Sequence, residues 1–236
     1  VTHSPYAQIN SAASSFSAIS GNALFATTSQ FGLASVSPSP SGTWSYYQKI
    51  NTSIPTQNLN DVYAESDNRI WIATKDFGIV KLDMPSTWTP YNSSTTSMHS
   101  NNISAITADH SGNIWFANEL GFGSLINGSV SEFMMGVVHD VACDGEGNIW
   151  AATDDGLKRW NPSSHSMEYF GTETSGLNTS TVLCVTTDRN GKLWIGTNAG
   201  LYSYESGKIV KVTPANEYQV GMVIKAISAD QNNKLW

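Results

Sequence analysis

A tryptophan set in nearly the same surroundings returns along this chain about every 42 residues, and this recurrence constrains the fold more than any other feature. Five stretches read alike: DVYAESDNRIWIATKDFGIVKLD from Asp61, SAITADHSGNIWFANELGFGSLIN from Ser104, DVACDGEGNIWAATDDGLKRWN from Asp140, CVTTDRNGKLWIGTNAGLYSYE from Cys184 and KAISADQNNKLW from Lys225. A looser copy, FSAISGNALFATTSQFGLASVS, begins at Phe16. The anchors Phe25, Trp71, Trp115, Trp150, Trp194 and Trp236 are spaced 46, 44, 35, 44 and 42 residues apart. A unit of this size cannot bury both of its faces alone, so it must stack on its neighbours.

Each unit reads as four strands. The first alternates, as in Val138-His139-Asp140-Val141-Ala142, and the position nine before the tryptophan is apolar in every well-formed copy: Val62, Ile106, Val141, Val185 and Ile227. A turn of Asp, Gly and Asn residues follows, such as Asp144 to Asn148, because these residues accept left-handed backbone or close Asx turns. The tryptophan strand comes next, and a glycine opens the third strand, as in Gly156-Leu157-Lys158-Arg159-Trp160. The fourth is variable and is followed by a link rich in Ser, Thr and Asn. No stretch carries a helical period. The pattern predicts an all-β chain, a β-propeller of four-stranded antiparallel blades with about 42 residues per blade. Five complete blades and the start of a sixth are expected within one domain spanning 1–236, with the ring incomplete in this chain. Trp236 falls in mid-motif, so the natural chain is expected to continue.

Only 13% of the residues are charged, against a usual quarter or so. Net charge is −7, with no basic stripe, which excludes an electrostatic partner for phosphate backbones and disfavours anionic membrane surfaces. No apolar run reaches the roughly 18 residues of a membrane span. No leader opens the chain at Val1, which is compatible with a mature start.

The repeats resemble the two-component regulator propeller repeat, whose pattern is roughly Asp-x-x-Gly-x-Ile/Leu-Trp-Ile-Gly-Thr-x-x-Gly-Leu. Residues Asp188 to Leu201 fit it throughout, and Asp144 to Leu157 fit with Ala152 in place of the Gly. Asp67 to Ile79 is looser, and Asp109 to Gly123 departs in its second half, with Asn118 for the Thr. The resemblance implies extracytoplasmic propellers, often seven-bladed, from sensor parts of hybrid histidine kinases that recognise glycan breakdown products. It places the chain in the periplasm, the secreted fraction or the cell surface of a bacterium. A second resemblance, through Gly112-Asn113-Ile114-Trp115-Phe116, is to streptogramin-lyase-like propellers, without any of that family's catalytic residues being placed here.

In an up-and-down blade, the turn between strands two and three leaves on the same face as the link to the next blade, and the Asp-Gly-Asn turns leave on the other. The first face is therefore expected to carry Lys75, Asp76, Phe77, Asn118, Glu119, Phe122, Asp154, Asp155 and Asn198. The links add His99, Met134, Met135, His139, Tyr218 and Met222. These groups change from repeat to repeat while the scaffold does not, and variable loops on a rigid scaffold are where binding resides. Aromatics beside carboxylates and amides suit a small polar ligand or an oligosaccharide. A protein-interaction platform, with Met134, Met135 and Met222 as an apolar patch, is the first alternative. A lyase or glycoside-active enzyme using Glu119 and a facing carboxylate is the second.

Against these stand plainer readings. The tryptophans pack between blades, and Asp109, Asp144, Asp188 and Asp230 form turns. The pair Asp154-Asp155 could serve as acid and base, but adjacent strand-end residues point apart. The five histidines have no zinc spacing, the Asp144 turn lacks the ligands of a calcium loop, and no phosphate or dinucleotide motif occurs. No metal or cofactor is expected, and catalytic residues are assigned to none. Cys143 and Cys184 lie seven and ten residues before their tryptophans, so they face opposite sides of their sheets and are expected as free, mostly buried thiols.

Overall fold

The computed structural model describes residues 13–18, 24–28, 32–36, 44–66, 68–173, 175–205, 207–212, 222–230 and 232–236. Among them every regular element is a strand, and consecutive strands form five four-stranded antiparallel sheets. The first sheet holds β1 (Ala13–Ala18), β2 (Leu24–Thr28), β3 (Gly32–Val36) and β4 (Trp44–Tyr47). The second holds β5 (Leu59–Ser66), β6 (Arg69–Thr74), β7 (Ile79–Asp83) and β8 (Thr87–Tyr91). The third holds β9 (Ile103–Ala108), β10 (Ile114–Asn118), β11 (Gly121–Ile126) and β12 (Ser129–Met134). The fourth holds β13 (Val138–Cys143), β14 (Ile149–Thr153), β15 (Gly156–Asn161) and β16 (Ser166–Phe170). The fifth holds β17 (Val182–Thr187), β18 (Leu193–Thr197), β19 (Gly200–Glu205) and β20 (Lys208–Lys211). Beyond them, a bridge between Ala229 and Leu235 closes one further hairpin turn. No helix among the described residues is long and apolar enough to cross a membrane.

Contacts group the chain into two compact units, Val1–Ile106 with Leu125–Ser131 and Thr107–Ser124 with Glu132–Trp236. In the first unit, Phe25 and Leu33 of the first sheet pack with Val62, Ile70, Ile72, Val80 and Leu82 of the second. In the second unit, Trp150 and Leu157 of the fourth sheet pack with Val185, Ile195 and Tyr202 of the fifth. Each such side chain contributes about 1.5–3 kcal/mol by leaving water. Arg159 cements the same layer. Its guanidinium lies 5.3, 5.7 and 5.6 Å from the rings of Trp150, Phe170 and Tyr204, and it donates to the Tyr204 hydroxyl at 2.8 Å.

The turn motif has a second task that the sequence pattern conceals. Asp109, Asp144, Asp188 and Asp230 each fold their own turn, and each also accepts the indole N–H of the tryptophan six residues on, at 3.0, 2.7, 3.0 and 3.3 Å. Glu65 does the same for Trp71 at 2.7 Å in the copy that has no turn aspartate at that offset. The threonine ending the tryptophan strand closes the next turn: Thr28, Thr74, Thr153 and Thr197 donate to the carbonyls of Gly32, Gly78, Gly156 and Gly200. Glycine is required where β7 and β15 are entered. Gly78 and Gly156 have φ of +80° and +129°, and a Cβ there would meet the Tyr91 and Phe170 carbonyl oxygens at 2.3 and 2.6 Å.

Candidate functional site

The same-face expectation holds within each unit. In the first, the Lys75 amide donates to the Asn58 carbonyl and the Gly78 amide to the Asn101 carbonyl, tying the β6–β7 turn to the links on either side. In the second, the Met135 amide reaches the Leu120 carbonyl and the Ile224 amide the Thr197 carbonyl. In each unit one end of the sheets thus carries these turns together with the links: the turn before β7 in the first, and those before β11, β15 and β19 in the second. The aspartate turns are at the other end.

On the fourth sheet several polar groups of the loop-bearing end come together. Pairing of β13 with β14 slips at one residue, so that Val138 faces Thr153 and Asp140 faces Ala152, leaving His139 as the extra residue of a bulge. Bulges re-aim side chains. His139 Nε2 lies 2.9 Å from an Asp154 carboxylate oxygen. Asp155 turns the other way, accepting from Thr153 Oγ1 at 2.5 Å and pairing with Lys158 Nζ at 3.1 Å. Burial raises the Asp155 carboxyl, but the Thr153 and Lys158 contacts more than offset it and hold the group below its ordinary range. Tyr169 is exposed and donates its hydroxyl to the Asp155 carbonyl. The same slip recurs in β5 and β17, where Asn60 and Leu183 are the extra residues.

The other expected residues divide. Lys75, Asp76, His99, Glu119 and Asn198 are exposed at this end, with Asp76 accepting from Asn58 and Asn198 bonded to the Thr179 hydroxyl. Phe77 is half-buried against the first unit's core. Two expectations are corrected. Phe122 is 1% exposed, because Gly121 already begins β11 and Phe122 turns inward to stack on Phe133 at 5.0 Å. Asn118 is buried and takes over the threonine's task, accepting from the Leu120 and Gly121 amides. Tyr218 lies outside the described residues. Met134 and Met222 are exposed, and Met135 is half-buried.

Two features escaped the sequence reading. One is Tyr169, hidden in a fourth strand that varies too much to align. The other is a clasp between sheets. Asp140 accepts its neighbour Val141's amide with one oxygen and the Val185 amide of β17 with the other, at 2.8 and 2.9 Å. Asp61 does the same for Val62 and for Ile106 of β9, both at 2.8 Å. Both lie ten residues before their tryptophan, where the receiving strands carry Ala105 and Cys184.

A cleft of about 210 Å3 opens at the aspartate-turn end, lined by Asp144, Glu146, Gly191, Leu193, Tyr204 and Gly207. Its most buried acid, Asp144, already accepts from the Glu146 and Asn148 amides, the Asn148 side chain and Trp150. No cluster of three metal-ligating side chains occurs among the described residues. Cys143 and Cys184 are free, the first half-buried and the second buried, as their register required.

The sheets and their turns can now be set beside known proteins. Residues 97–119 and 176–199 match the family model of the two component regulator propeller. At these two stretches the chain is similar to this family's repeat. The matched residues hold the first two strands of the third and fifth sheets, the ones that receive the clasps. The extracellular domains assigned to two hybrid two component systems of B. thetaiotaomicron share the fold, with TM-scores of 0.75 and 0.77 at 21% and 18% identity over 92% and 97% of this chain. The chain spans 30% and 32% of those two structures. Virginiamycin B lyase of Staphylococcus aureus, in a catalytically inactive form with quinupristin, is similar at a TM-score of 0.76 and 14% identity over 97% of this chain and 78% of the lyase. No curated protein matches the chain. The five four-stranded antiparallel sheets are propeller-like blades.

Proposed function

We propose that the chain is part of a non-catalytic, extracytoplasmic sensing module that binds a small polar ligand, oligosaccharide fragments being the leading class, at its loop-bearing end. The five sheets count as five blades of one domain, with Lys225–Trp236 opening a sixth. The observation that carries the reading is the contrast between a repeated frame and unrepeated polar groups. The bulge residue is Asn60, His139 or Leu183, while the clamps that hold the turns stay the same. On the fourth sheet the frame presents His139, Asp154, Asp155 and Lys158 beside the exposed ring of Tyr169. A ring face against a sugar's apolar side, with carboxylates and an imidazole at its hydroxyls, is the chemistry of carbohydrate recognition. The likeness to extracellular domains of two component systems supports the location and the sensing role.

A thermal-shift screen against neutral and acidic oligosaccharides tests this. A ligand at a hundred times its Kd adds about 2.7 kcal/mol of stability. One class should raise Tm, and Tyr169→Ala or His139→Ala should abolish the rise without lowering the unliganded Tm by more than a few degrees. A screen without any shift overturns the carbohydrate reading. Turnover of quinupristin, the compound bound by the similar lyase, would make the protein an enzyme instead.

A further inference from the structure

Three of the four links that lead from one described sheet to the next have the same length and the same internal construction. Residues 48–58, 92–102 and 171–181 are eleven residues each. In each, the hydroxyl of the fifth residue (Thr52, Thr96, Ser175) donates to the carbonyl of the first (Gln48, Asn92, Gly171), at 2.9, 2.8 and 2.5 Å. The same oxygen accepts the amide of the seventh residue, at 3.3, 3.2 and 3.4 Å. That seventh residue is always apolar and always buried: Ile54, Met98 and Leu177. The ninth residue's hydroxyl (Thr56, Ser100, Thr179) accepts the eleventh's amide. The signature Ser/Thr-x-apolar-x-Ser/Thr is therefore a folded plug that covers the loop-bearing end. Leu177 joins the core between the fourth and fifth sheets, and Ile54 the core between the first and second.

The link from β12 to β13 has only three residues, Met135-Gly136-Val137, and no plug. Beneath it the core is closed by other means, with Phe133 stacked on Phe122 at 5.0 Å and tilted against Trp160 at 4.5 Å. The short link is pinned by its own amides, Met135 and Gly136 both donating to the Leu120 carbonyl. Leu120, Met134 and Val137 are left 38%, 52% and 42% exposed around it. Exposed carboxylates come at either end of this stretch: Glu119 directly precedes Leu120, and Asp154 meets His139, two residues after Val137.

We infer that this uncovered step is a docking surface for an extended segment of another protein, one that brings an apolar side chain beside a lysine or arginine. The segment supplies from outside the cover that the eleven-residue links supply from within at the other steps. The apolar anchor meets Leu120, Met134 and Val137, and the cation meets the two flanking carboxylates. Peptide capture by apolar anchors with a charged rim is a recurrent mode of recognition. The inference shares Asp154 with the oligosaccharide reading, but Leu120, Met134 and Val137 belong to this surface alone and Tyr169 to the other, so variants at those positions tell the two apart.

The test uses the full chain and a fluorescent heptapeptide, Ser-Lys-Thr-Leu-Lys-Thr-Ser, with Leu→Ser and Lys→Glu versions as controls. Anisotropy should report binding of the first peptide, weakened at least tenfold in either control and by 0.5 M salt. Met134→Ser with Val137→Ser should remove it at an unchanged Tm, because both side chains are exposed. In a second variant, residues 135–137 are replaced by the link sequence of 171–181. It should fill the step in cis and also abolish binding, with Tm unchanged or raised. Failure of the native chain to bind the peptide overturns the inference, as does equal binding by the filled variant. Loss of self-association on Met134→Ser would assign the surface to a second copy instead, and a glycan response that depends on Met134 would assign it to a sugar.

Discussion

The carboxylate of Asp144 accepts the indole N–H of Trp150 at 2.7 Å, and Trp150 is 0% exposed. The residue that shapes a surface turn is thus also the partner of a fully buried donor. Substituting it should do two kinds of damage at once. Asp144→Ala is expected to cost about 1–3 kcal/mol for the orphaned indole, with a further contribution from the turn. Asp188→Ala should cost less, since its partner Trp194 is only half-buried and water can replace part of the lost bond. Urea denaturation of the two variants checks the ranking, and equal losses would refute it.

The clasps make a different prediction. Asp140→Ala leaves the Val185 amide without its carboxylate, so stability should fall by about 1–3 kcal/mol. Hydrogen exchange should quicken at Val185 while Val182, which pairs within its own sheet, keeps its protection. Asp140→Asn, which retains an acceptor, should recover part of the loss. Uniform exchange along β17 in the alanine variant would show that the clasp is not local.

The thiols should be inert in the folded protein. Burial, then the nearby Asp140 charge, pushes Cys184 up to about 12. Burial, then the charges of Asp144 and Asp109, pushes Cys143 up to about 11. Because the thiolate is the nucleophile, neither should react appreciably with iodoacetamide at pH 8 unless the chain is unfolded, when two equivalents are taken up. Rapid labelling of the native protein would contradict both assignments.

Acid should weaken the fold through the turn carboxylate of Asp109. Burial raises Asp109, but the Trp115 indole, the Asn113 side chain and the Asn113 and Ser111 amides outweigh it and hold the group below its ordinary value. A carboxylate depressed in the folded state contributes stability that is complete above its unfolded value, about 3.9, and lost as pH falls through the folded one. Tm should therefore be level from pH 7 to 5 and fall below about pH 4. Asp109→Asn should lower the plateau and make the acid limb shallower. A variant with an unaltered acid limb would remove Asp109 as a cause.

Much of this was legible in the residues because the decisive interactions are local. A turn aspartate, a tryptophan strand and a glycine at the next turn lie within about fourteen residues, so their order alone implies successive hairpins. The offset of six between Asp109 and Trp115, or Asp188 and Trp194, and the signature that buries Ile54, Met98 and Leu177 are written in the residues, but the pattern does not say that the first carries a hydrogen bond or that the second folds into a plug. What those patterns could not express is direction. Glycine opens β11 one residue before Phe122 and turns that ring inward, and only the paired register reveals it.

By itself, then, the sequence determined the strands, their turns and the stacking repeat, because each depends on neighbours within one hairpin. The tertiary structure alone decided the rest. It joined Asp140 to Val185 across 45 residues, aimed His139 at Asp154 through a bulge, and uncovered Leu120, Met134 and Val137 beneath a short link. Those outcomes depend on which sheet lies beside which and on how far one strand slips against its partner, and no local preference encodes either.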